Sequence, residues 1–353
     1  MKKFLIKGAI FSFPILLLQV YTMMFYSIPT GDLLRLGNMM DKYDYRYIFK
    51  EEFENEIHFD NISDINLSTK SKYTFLTLGD SFSEQQGYGY QNYLAKNDSV
   101  TIIHFDKFLN GNSIQTLYGI LNGDILNKIK PEYIILQTIE RHFVRDSKGV
   151  DRNNIILNDS LIKLVENKKK VDTSEIISKK LFIDKILRFG LYKILYLLDD
   201  NAFGSKTYRV NTKENFFSIN EDNKNKLLFY QGDVEHFELN NDFESIVNLN
   251  NELNILSNNL SKKGVKLIVL PSPDKFDFYY DFIVENKKYK KPLFFEYFDK
   301  MPKNYIYINS KKVLKSEMKN KKDIYFYDDT HWSPWASQII ANELEKIINK
   351  NKS

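Results

Sequence analysis

Residues 73–83 read YTFLTLGDSFS. An apolar run of strand type stops at Gly79, and an acid and a serine follow at once. A run of that length bounded by a glycine turn predicts a buried strand with Ser81 at its carboxyl end. A serine hydroxyl is a weak nucleophile until a base takes its proton. Gly79-Asp80-Ser81 alone reads equally well as a plain turn, with Asp80 holding it, so the rest of the chain has to decide.

Outward from that stretch, element types alternate. Strands are predicted at 99–105, 132–139, 265–273 and 304–309. Helical apolar spacing marks 112–130, 242–264 and 333–350; the second of these opens on Asp242 and closes on Gly264. Strands alternating with helices predict an α/β fold, a three-layer sandwich around a mainly parallel sheet. In such sheets function gathers at the carboxyl ends of the strands. Residues 145–225 interrupt the alternation and are read as a helical insertion. Its segment 172–200 mixes basic and apolar residues, which suits a helix packed on the domain, one lying at a membrane surface, or a lid.

The chain has 353 residues and a formal net charge of +4 from scattered lysines, with no cysteine. No basic tract marks a nucleic-acid binder. Without cysteine there are no disulfides, thiolate zinc sites or cysteine nucleophile. Lys2, Lys3 and Lys7 precede an uncharged stretch, Ala9–Tyr26, close to the ~20 apolar residues that cross a bilayer as a helix. The positive-inside rule then predicts a single-pass transmembrane anchor with the bulk of the chain exported. A cleaved signal peptide is the rival reading, but no small-residue cleavage site follows the span. The organisation expected is an anchor at 1–27, a juxtamembrane connector at 28–70, and a catalytic domain at 71–353 carrying the insertion.

Of five histidines, only His331 has a suggestive setting, YFYDDTHWSPWAS at 325–337. A carboxylate two or three residues earlier can accept its Nδ1–H and so turn Nε2 toward a serine. Asp329 and Asp328 both qualify, and the Asp-x-His spacing favours Asp329. Metal binding is the other use of Asp-x-His, but no second histidine cluster accompanies it.

GDSFS followed near the carboxyl terminus by DDTHW resembles the SGNH/GDSL hydrolase superfamily. DTHW, VKLIVLPSPDKFDFYY (265–280) and IERHF (139–143) are similar to segments of its alginate O-acetyltransferase-like branch, which includes membrane-anchored polysaccharide O-acetyltransferases. The resemblance implies Ser81 as nucleophile, His331 as base and Asp329 as orienting acid. The oxyanion hole expected is the backbone N–H of Ser81 with that of Gly111. Arg141 is expected either to clamp a glycan carboxylate or to form a buried ion pair. Lys275 and Tyr279 are expected to line the site or to support it, and Trp332 to carry a sugar or to shield the His–Asp pair. Two departures stand out. The serine precedes the Asp-x-His segment, unlike the alginate enzymes, which argues against alginate itself as acceptor. Glu140 and Arg141 stand where the superfamily has its asparagine block.

What the resemblance implies is acetyl transfer through an acetyl-serine to hydroxyls of a cell-envelope or exported polysaccharide, without cofactor or metal. A membrane-bound O-acyltransferase would be the donor partner, and the protein would sit in the cytoplasmic membrane with its catalytic domain periplasmic. A carbohydrate O-acetyl esterase and a non-catalytic anchored glycan-binding subunit are the alternatives.

Overall fold

In a computed structural model, the structure describes residues 1–25, 31–39, 49, 53, 56–63, 72–97, 99–106, 112–161, 163, 183–199, 201–218, 225–235 and 238–352. Six parallel strands form the main sheet: β1 (Asp60–Asn61), β2 (Phe75–Gly79), β3 (Ile102–Asp106), β4 (Tyr133–Ile139), β7 (Lys266–Ser272) and β8 (Ile306–Tyr307). Their order across the sheet is β1-β3-β2-β4-β7-β8.

The central strands β2, β4 and β7 are mainly apolar because both faces are covered. Phe75, Ile102, Ile135, Ile268 and Leu270 feed one hydrophobic cluster. Their neighbours Leu76, Leu78, Ile103, Ile134, Leu136, Leu267 and Val269 point the other way into a second. The first face is covered by the helices Tyr90–Ala95 and Pro334–Lys352, through Leu94, Ala336, Ile340 and Leu344. The second is covered by the helices Ser113–Asn122 and Phe243–Ser261, through Ile114, Leu117, Leu249 and Leu253. This mostly parallel sheet between helical layers fits an SGNH-like fold. Asp242 caps its helix by accepting from the N–H of Ser245 at 2.9 Å.

Three expectations change. The helix predicted over 112–130 is two, Ser113–Asn122 and Ile125–Ile129, because the chain leaves the helix at Gly123, which is extended. The insertion is not purely helical. After the helix Ile183–Leu198 it forms β5 (Thr207–Asn211), which pairs antiparallel with β6 (Lys226–Tyr230); residues 172–182 lie outside the described residues. The transmembrane span is not found: among the described residues no helix is long and apolar enough to cross a membrane. A helix does form over Lys2–Phe25, with Phe4, Ile10, Phe11 and Leu16 exposed.

Candidate active site

β2 ends at Gly79, and the chain turns sharply beside the carboxyl end of β4. Asp80 holds this turn. One carboxylate oxygen accepts from the N–H of Phe82 at 3.0 Å and the other from the N–H of Ile139 at 2.7 Å. Gln137, also on β4, accepts from the N–H of Asp80 and from the hydroxyl of Ser83. A Cβ on Gly79 would fall 2.0 Å from Ser83 Oγ and 2.6 Å from Gln137 Oε1, so the backbone approaches too closely for any other residue. No α-helix starts directly at the serine; a 3₁₀ turn at Gln86–Tyr88 intervenes before the helix Tyr90–Ala95.

The loop 325–332 closes on itself through a bridge between Tyr325 and Trp332, and so delivers His331 to this turn. His331 Nε2 lies 2.7 Å from Ser81 Oγ. Its Nδ1 lies 2.5 Å from Asp329 Oδ1, which also accepts from the N–H of His331 at 3.0 Å. It is Asp329, not Asp328, that meets the ring nitrogen; the carbonyl of Asp328 accepts from the N–H of Leu33. Phe82 packs on the imidazole with ring centroids 4.8 Å apart.

Burial opposes the charged imidazolium. The hydrogen bond and charge of Asp329, and then the charge of Asp32, outweigh it, so the pKa of His331 stands above the ordinary 6.5 despite the opposing charge of Arg141. Asp32 comes from the short helix Asp32–Leu36, and its Oδ2 lies 3.9 Å from His331 Nδ1. Burial, followed by the charge of Asp329, raises its pKa. Asp32, Asp329 and His331 each place a potential metal-ligand atom within 4.8 Å of the others. All three are already committed to protein hydrogen bonds, and none is assigned as a metal ligand.

Ser81 and His331 open into a cavity of about 400 Å³ lined also by Glu84, Gln85, Gln86, Tyr88 and Phe326. A larger cavity of about 860 Å³ lies at the amino ends of the strands, among Lys72, Lys130, Glu132 and Lys266, away from these groups.

The other anticipated residues do not line this cavity. Arg141 forms an ion triad, with Nη1 2.8 Å from Asp233 and 2.7 Å from Asp274. Lys275 is fully buried, and Nζ donates to the carbonyls of Phe326 at 2.8 Å, Tyr327 at 2.7 Å and Asp329 at 3.2 Å. It reaches the histidine loop from beneath and does not line the cavity. Tyr279 is buried among Phe216, Phe217, Phe278 and Tyr325. Trp332 is buried edge-on to Phe82, with no face open to a sugar. Gly111 lies outside the described residues.

Residues 224–353 match the family model of the SGNH hydrolase-like domain of the acetyltransferase AlgX. The AlgX-like segment contains Lys275, Tyr279, Asp329, His331 and Trp332; Ser81 and Arg141 precede it. It supports a family of acetyltransferase or esterase chemistry. No curated protein and no solved structure matches the chain.

Sequence reasoning missed Asp32, Gln137, Asp233 and the cavity residues Glu84, Gln85, Gln86 and Tyr88. The last four follow Ser81 within seven positions, so closeness to the motif was the available signal. Asp32 and Asp233 had none.

Proposed function

We propose that the protein is an O-acetyltransferase that carries acetyl groups through an acetyl-Ser81 intermediate to hydroxyls of a cell-envelope or exported polysaccharide. The observation that carries this reading is the continuous hydrogen-bonded chain Ser81–His331–Asp329 opening into a cavity. As Oγ of Ser81 attacks the acetyl carbonyl, its proton passes to Nε2 of His331, which returns it to the departing oxygen. Asp329 holds Nδ1–H and stabilises the imidazolium. The N–H of Ser81 receives the oxyanion. A sugar hydroxyl then attacks the acetyl-serine as its proton passes to His331; the bond from acetyl to Oγ breaks, His331 returns the proton to Oγ of Ser81, and the sugar leaves as the ester.

The donor we propose is a membrane-bound O-acyltransferase. The location we propose is the outer side of the cytoplasmic membrane, to which the exposed apolar residues of the helix Lys2–Phe25 attach the chain. The test is mass spectrometry of the full chain after exposure to an activated acetyl ester. An adduct of one acetyl group on Ser81, absent in Ser81→Ala, is expected. Envelope glycan should speed its loss and gain the acetyl group, since a bound hydroxyl has an effective concentration that dilute encounter lacks. Release only as free acetate, unaffected by glycan, turns the assignment to an esterase. No adduct from any donor turns it to a glycan-binding subunit.

A further inference from the structure

Residues 31–33 reach the catalytic loop from the far end of the chain. The Asp32 carboxylate accepts from the N–H of Thr330 at 2.8 Å and from its hydroxyl at 2.5 Å. The N–H of Asp32 donates to Asp329 Oδ2 at 3.2 Å, and the N–H of Leu33 donates to the carbonyl of Asp328 at 3.0 Å. A Cβ on Gly31 would lie 2.0 Å from that same carbonyl oxygen, so the contact admits only glycine. Asp328, Asp329 and Thr330 are thus each held from outside by one short segment.

We propose that Asp32 is a second carboxylate of the catalytic centre: a positioning residue that fixes the Asp329-Thr330-His331 backbone so that Nε2 faces Ser81. Its role as an aid to catalysis rests on the reading of His331 as the base. Thr330 lies between the orienting acid and the base in sequence, so clamping its N–H and hydroxyl fixes both neighbours. Two carboxylates side by side repel each other. The arrangement becomes favourable when an imidazolium forms between them, which is the state that follows proton transfer from Ser81. Asp32 takes no proton in that cycle. The charged groups that bear on His331 are Asp329 and Asp32, which raise its basicity, and Arg141, which lowers it. Asp32 in turn acts on Lys275 and Asp233.

The test is made on the full chain, with the His331 resonance assigned by comparison with His331→Gln. Asp32→Asn keeps the shape and removes the charge. It should lower the imidazole pKa measured by NMR, because one of the two carboxylate charges that favour the imidazolium is removed. Acetylation of Ser81 by an activated ester should slow by about ten- to a hundredfold, as for other small misplacements of reacting groups. The acidic limb of its pH profile should move down in step, and Asp32→Glu should restore part of both effects. An unchanged His331 titration, or full activity in Asp32→Asn, overturns the proposal. Should Asp32→Asn not fold, Thr330→Val removes the hydroxyl contact alone; it should slow acetylation severalfold while leaving the His331 pKa in place, and a wild-type rate overturns the positioning role. The NMR measurement needs no turnover. If wild type forms no Ser81 adduct while Asp32→Asn still lowers the His331 pKa, the acetyl-transfer reading fails and the electrostatic role of Asp32 stands.

Discussion

His331 shows how opposing effects set one residue's chemistry. Burial favours the neutral ring, but one carboxylate bonded at 2.5 Å and another 3.9 Å away outweigh it. A general base works only when neutral, so a raised pKa moves the acidic limb of the rate profile upward. The midpoint for Ser81 acetylation should therefore lie above pH 6.5, the ordinary histidine value. Asp329→Asn should lower turnover by up to ~10⁴-fold, as in other serine triads, and bring that midpoint down. Asp328→Asn is the control: Asp328 engages Leu33 through its backbone carbonyl, so loss of activity from this variant and none from Asp329→Asn would reverse the assignment.

At the scale of elements, the histidine loop is held from two sides. The segment Gly31–Leu33 clamps its outer edge, and the helix Lys275–Tyr279 supplies the ammonium beneath it. Lys275 gives three N–H donors to three carbonyls of the loop, those of Phe326, Tyr327 and Asp329. Lys275→Met keeps the stem and removes all three bonds, at a cost of about 3 kcal/mol or more in unfolding free energy. Activity should fall further than the stability loss explains, because the loop carries both Asp329 and His331. Urea unfolding beside an acetylation assay separates the two effects; wild-type acetylation by a folded Lys275→Met would remove the helix from the site's support. Burial also pulls the pKa of Lys275 down to about 7, against the carboxylates of Asp328, Asp329, Asp32 and Asp233. An amine depressed on folding costs stability while charged. The penalty is fully present below pH about 7 and is relieved as pH rises toward 10.5, so Lys275→Met should flatten that part of the stability curve.

Across the whole molecule, the stretch after the N-terminal helix is built into the domain. Leu33 and Leu34 are buried in the same cluster as strands β2, β4 and β7, and the carbonyl of Leu33 accepts from the hydroxyl of Thr207 at 2.7 Å on the β5–β6 hairpin. Leu33→Ala should lower the unfolding free energy by about 2–5 kcal/mol, the usual range for a fully buried leucine. Equilibrium urea denaturation of the full chain measures it. A change below about 0.5 kcal/mol, the level of surface substitutions, would show that this segment does not stabilise the fold. The hairpin and the N-terminal segment thus meet on the side of the sheet from which Asp32 enters the site.

The sheet and one half of the site are legible in the order of the amino acids. Phe75–Gly79, Tyr133–Ile139 and Lys266–Ser272 are legible as strands because both faces of a covered parallel sheet need apolar residues, which leaves short unbroken runs between turns. The pairing of Asp329 with His331 is legible for a similar reason: two residues apart in one loop, they are within reach of each other whatever the rest of the chain does. The remainder follows from how the chain packs. The Lys275 and Tyr279 motif could be read, but not that both side chains turn into the core. The β5–β6 pairing joins strands across the long connection 212–225, and Arg141 finds Asp233 and Asp274 at separations of 92 and 133 positions. Asp32 lies 297 positions from Asp329, in a stretch with no motif of its own. Local patterning records what each residue needs from its immediate neighbours, whereas a contact across the whole chain exists only once the strands have packed in the order β1-β3-β2-β4-β7-β8 and the two ends meet at their carboxyl edge.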